Sequence, residues 1–155
     1  MGRSATADLV FGIDLGHEDD AILPWHADDE DDDDEDIDFA EYYAAKLGVA
    51  APTVEYGPDT ENEYHAYWDA KRKAIEASGV DIFSYGYGLG GSVLAVGAAT
   101  LPGEDWGSVP IDPADMTVKP EWLEQLARAV EVLGLTEDHA PHGLKPRWYM
   151  TATYN

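Results

Sequence analysis

The sequence predicts an α+β fold in a single domain, with a mostly antiparallel sheet of about four strands and three helices on one face. Three observations lead there. Runs of β-branched and aromatic residues fall near the start, the middle and the end of the chain, three segments between them carry a helical period with start and stop signals, and a glycine cluster splits the middle run as a hairpin does. No linker or repeat divides the 155 residues, so 1–155 reads as one domain with an internal acidic loop over about 17–36. A domain of this size buries roughly 68–70% of its unfolded-state surface, enough for a core without disulfide or structural metal.

The elements follow in order. Leu9-Val10-Phe11-Gly12-Ile13-Asp14-Leu15-Gly16 predicts a first strand, central in the sheet. An acidic loop containing Pro24 runs from His17 to Trp25, and nine consecutive acids come soon after it. Asp36 or Asp38 then caps a short helix over 39–47, which Gly48 ends. Thr60-Glu61-Asn62-Glu63 has the spacing of a capping box, and the helix behind it sets Tyr64, Tyr67, Trp68, Lys71 and Ile75 on one face until Gly79. Asp69 and Lys73 stand four apart in the favourable order, so Lys71-Arg72-Lys73 is a paired, solvated helix surface rather than a nucleic-acid patch. Residues 80–85 and 92–96 are strands around the glycine cluster 86–91. From Pro102 to Val118 the chain is loop with one short strand near 108–111. Pro120 opens a helix with Trp122, Leu123, Leu126, Val130 and Leu133 as its apolar stripe, Gly134 closes it, and 147–154 is a terminal strand.

Charge is the most unusual property. Residues 1–45 hold sixteen acids against one base and residues 46–155 sixteen against eight, for nets of −15 and −8. Asp28, Asp29, Glu30, Asp31, Asp32, Asp33, Asp34, Glu35 and Asp36 form an unbroken run. An extended chain advances about 3.3 Å per residue, close to the phosphate spacing of roughly 3.4 Å along one DNA strand. Adaptation to a salt-rich cell would spread carboxylates evenly, so their concentration in the first third favours a local purpose. Neighbouring carboxylates about 6 Å apart in water repel by roughly 0.7 kcal/mol before screening, which opposes compaction unless cations meet the run.

Catalytic and cofactor motifs fail on context. Gly86, Gly88 and Gly91 fit G-x-G-x-x-G after a strand, but the β-branched segment after them is a poor helix and offers no N-terminus to a pyrophosphate. His17, His26, His65, His139 and His142 lack the spacing of a zinc helix, and the acidic run lacks the glycine turn of an EF-hand, so no metal site or cofactor is expected. There is no cysteine, and Ser92 lacks the closing glycine of a nucleophile elbow. The sequence thus predicts no enzyme and no direct nucleic-acid binding, since the chain would repel phosphates. No apolar run of eighteen residues or hydrophobic leader is present, which predicts a cytoplasmic protein with no membrane partner.

The first-strand octapeptide, Ser92-Val93-Leu94-Ala95-Val96 and Arg147-Trp148-Tyr149-Met150 resemble pieces of small accessory proteins of tailed bacteriophages, over less than a fifth of the chain. Size and charge are similar to those of phage-encoded DNA mimics, including anti-restriction and anti-CRISPR proteins, which occupy nucleic-acid sites on host defence complexes. Those mimics share no motif, so the resemblance transfers no residue. It implies a non-enzymatic inhibitor acting in the host cytoplasm on a basic nucleic-acid-binding protein or complex. The residues expected to bind are the nine acids 28–36 with Asp38, Glu41 and Tyr42 beside them. The competing expectation is an acid-adapted globular structural or binding protein whose acidic run is a solvated loop.

Overall fold

A computed structural model describes residues 5–17, 23–25, 38–86, 92–104 and 107–154. Four strands, β1 (Ala5–His17), β2 (Asp81–Gly86), β3 (Ser92–Leu101) and β4 (Arg147–Tyr154), form one antiparallel sheet in the order β2-β3-β1-β4. Helices α1 (Phe39–Lys46), α2 (Glu61–Ser78) and α3 (Pro120–Leu133) complete the α+β fold. The first strand is central, as its two-sided apolar run predicts. It is also longer than its apolar run, because pairing with β4 carries it back to Ala5 opposite Tyr154.

Strand alternation divides the sheet into two faces. Phe11, Ile13 and Leu15 of β1 join Leu94 and Val96 of β3 under Phe39 and Tyr43 of α1 and Leu126, Ala129 and Leu133 of α3, all buried, with Ile75 of α2 packed against the cluster. Trp122 and Trp148 close one end over Phe11, with centroids 5.8 and 5.4 Å from its ring, and the Trp148 indole N–H donates to the Met116 carbonyl at 3.1 Å. On the opposite face Gly97 lies opposite Gly12, and a Cβ at Gly97 would stand 2.6 Å from Val10 and 2.7 Å from the Phe83 ring. Glycine is what lets those side chains cover the strand there.

Local punctuation behaves as expected at several ends. Gly79 and Gly134 take left-handed conformations at φ 76° and 68°, and Pro120 is the first residue of α3. β2 and β3 pair antiparallel up to Gly86 opposite Ser92, so the segment after the glycine cluster is a strand, and a dinucleotide-binding turn into a helix is excluded.

Three expectations are corrected. Thr60 makes no capping bond to α2, because its hydroxyl is taken by the preceding turn: it accepts from the Gly57 N–H at 2.9 Å and donates to the Glu55 carbonyl at 2.8 Å. No strand forms at 108–111. Pro110 removes a backbone donor, Val109 and Ile111 are exposed, and a 3₁₀ turn at Pro113–Met116 follows instead. In α3 the buried stripe runs through Leu126, Ala129 and Leu133, while Leu123 turns out to solvent at 45% exposure.

Candidate functional site

Of the residues expected to bind a partner, Asp28, Asp29, Glu30, Asp31, Asp32, Asp33, Asp34, Glu35 and Asp36 lie outside the described residues. Asp38, Glu41 and Tyr42 are described, and all three belong to the start of α1. Asp38 is the N-cap, its carboxylate accepting from the Ala40 N–H at 3.3 Å while remaining exposed. Glu41 in the first turn adds a second negative charge where the helix dipole favours it. Tyr42 is half-buried, with Lys46 Nζ 5.3 Å from its ring centroid.

No motif singles out Trp25 as a site residue. Its indole is buried and stacks on the Phe39 ring at 4.4 Å between centroids, nearly parallel at 9°, with Tyr42 tilted against it at 5.4 Å. An aromatic residue on each side of the acidic run, Trp25 before it and Phe39 after it, thus meets the other in the core. Thirteen residues separate them. The nearest hint in the sequence was an aromatic residue on each side of a charge run, and spacing alone cannot show that two rings thirteen residues apart meet.

The acids of α1 also face α2. Tyr67 is buried, and its phenol is pushed above the ordinary value first by burial and then by the negative charges of Glu41 and Asp38. Lys71 places its ammonium 5.4 Å from the Tyr67 ring. Further along α2, Asp69 accepts from Arg72 at 2.7 Å and Lys73 at 2.6 Å, and Arg72 also reaches Glu76 at 3.0 Å. These bases serve acids of their own helix, in keeping with a paired surface rather than a phosphate-binding one.

A second polar cluster occupies the face of the sheet away from the helices. Asp14, largely buried, accepts from the Gly16 N–H at 2.9 Å, has the Tyr85 hydroxyl at 3.5 Å and has His142 Nε2 at 3.7 Å. Burial first, and then the Asp14 charge, pushes the Tyr85 and Tyr149 phenols upward. Both phenols stay neutral beside the carboxylate. Among the described residues no three His, Asp or Glu side chains are placed to hold a metal ion. The cleft of about 350 Å³ described between α2 and β3 lies elsewhere, and its two carboxylates, Glu76 and Asp81, are exposed. Among the described residues no helix is long and apolar enough to cross a membrane. In comparisons with known proteins the chain matches no family model, no curated protein and no solved structure.

Proposed function

We propose that the protein is a non-enzymatic acidic inhibitor that binds the basic nucleic-acid-binding surface of another protein, acting in the cytoplasm in the manner of phage-encoded DNA mimics. One observation supports the reading: Trp25 and Phe39, which flank nine consecutive carboxylates in the sequence, stack on each other in the core. Asp38 and Glu41 at the start of α1 add two further carboxylates close behind the run in the sequence. Charge of that density speeds encounter with a basic groove and makes binding salt-sensitive, with screening over about 8–10 Å at physiological ionic strength. In this reading the carboxylates take the part of phosphates toward the partner's Lys and Arg side chains.

The test replaces the nine acids by Asn and Gln and measures displacement of a labelled DNA duplex from a panel of purified basic DNA-binding proteins and nuclease complexes. The wild type is expected to displace duplex from at least one of them, less well as salt rises, and the neutralised variant to displace none while melting normally. Equal displacement by the two proteins at low salt would overturn the proposal, as would no displacement from any member of the panel.

A further inference from the structure

A second surface lies on α2 and the turn before it. Trp68 is 42% exposed and Tyr56 56% exposed. Their rings are in mutual contact with Tyr64, at centroid distances of 5.1 Å for Tyr56 to Tyr64, 5.9 Å for Tyr64 to Trp68 and 6.0 Å for Tyr56 to Trp68. His65 meets Trp68 edge-on at 5.3 Å. Single exposed apolar residues are ordinary, but several large rings gathered at the surface mark an interaction site.

Hydrogen bonds hold this cluster in shape. The Tyr64 hydroxyl donates to the Val54 carbonyl at 2.8 Å, and the Thr60 hydroxyl bonds back to Glu55 and Gly57. Those bonds fold the 54–60 turn onto the first turns of α2. The rings are therefore positioned before any partner arrives, which reduces the ordering cost of binding.

Charge identifies the occupant. Residues 54–68 contain Glu55, Asp59, Glu61 and Glu63, all exposed, and neither Lys nor Arg. The nearest bases are engaged elsewhere, Arg72 and Lys73 with Asp69 and Glu76, and Lys71 over Tyr67. Glu61 has His65 Nε2 at 3.3 Å, and aromatic faces ringed by carboxylates fit a cation that can also stack. A guanidinium does both, being planar and weakly hydrated, whereas an ammonium remains a strongly hydrated point charge.

We infer that the Tyr56–Tyr64–Trp68 patch is a docking site for an arginine-bearing segment of a basic partner protein, a second anchor in addition to the acidic run. This rests on the proposed inhibitor reading and adds the side chain that the partner must present. The acidic run would attract any basic surface, and the patch would select arginine.

The experiment titrates the full chain with hexa-arginine and with hexa-lysine by calorimetry at low and physiological salt. It uses the wild type, the double variant Tyr56→Ala with Trp68→Ala, and the variant neutralised at 28–36. The wild type is expected to bind hexa-arginine at least about fivefold more tightly than hexa-lysine. The double variant is expected to lose that preference, and the neutralised variant to bind both peptides more weakly while keeping it. A preference that survives in the double variant, or is absent from the wild type, overturns the patch and leaves the acidic run untouched. Unchanged affinities in the neutralised variant instead overturn the acidic run and spare the patch. Should the double variant melt early, Trp68→Gln alone replaces it, since that side chain is already partly in water.

Discussion

Among the described residues, four tyrosine phenols are held above their ordinary value. Tyr85 and Tyr149 flank Asp14 on the open face of the sheet, and Tyr43 and Tyr67 sit between helices, all four with phenols raised primarily by burial. In the unfolded chain each titrates near its ordinary value of about 10. Because the folded values are higher, the stabilisation from keeping these phenols neutral is complete below about pH 10 and is lost as pH rises from there through the folded values. The protein should therefore lose stability steeply above about pH 10. Urea unfolding at pH 8, 9.5 and 11 checks this, and Tyr85→Phe should flatten the alkaline limb, because a ring without a hydroxyl has nothing to ionise.

Elements meet at places that no single element specifies. The α1 helix has only eight residues, too few to be stable alone, so its position depends on what it packs against. Phe39 at its start lies under Trp25, Tyr43 is buried, and Tyr42 touches the same indole. Trp25→Ala removes the stacking partner and opens a cavity, which predicts a loss of about 3–5 kcal/mol in urea unfolding. Trp25→Phe should recover much of it. Both variants keep every acid of the run, so any weakening of partner binding by Trp25→Ala beyond that of Trp25→Phe measures the value of holding the two ends together.

At the scale of the whole molecule, a formal net charge of −23 opposes compaction, and fifteen of those charges come from the first 45 residues. Neutralising the nine acids at 28–36 should raise the melting temperature at low salt and shrink the gain that the wild type shows on adding salt. Screening is essentially complete near 1 M, where the Debye length is about 3 Å. Thermal melts in KCl from 10 mM to 3 M separate the two readings of the acidity. A gain that ends near 1 M and diminishes in the neutralised variant fits a localised charge. A gain continuing into multimolar salt in both proteins fits an acid-adapted surface, to which Asp59, Glu61, Glu63, Glu121, Glu124 and Glu131 would contribute, all exposed.

Short-range chemistry was enough to place most elements. Pro120 and Gly134 bound α3, Gly79 ends α2, and β-rich runs on both sides of a glycine cluster form the β2–β3 hairpin, because these signals act within a few residues of themselves. The acidity of 28–36 and the cap at Asp38 were legible for the same reason. The assembled chain decided the rest: the order β2-β3-β1-β4, the extension of β1 to Ala5, the Thr60 hydroxyl spent on a turn, and the outward faces of Leu123 and Trp68. It also decided that Trp25 meets Phe39. Each depends on which surface another element covers, and that is fixed by packing between residues far apart in the chain rather than by the period of any one segment.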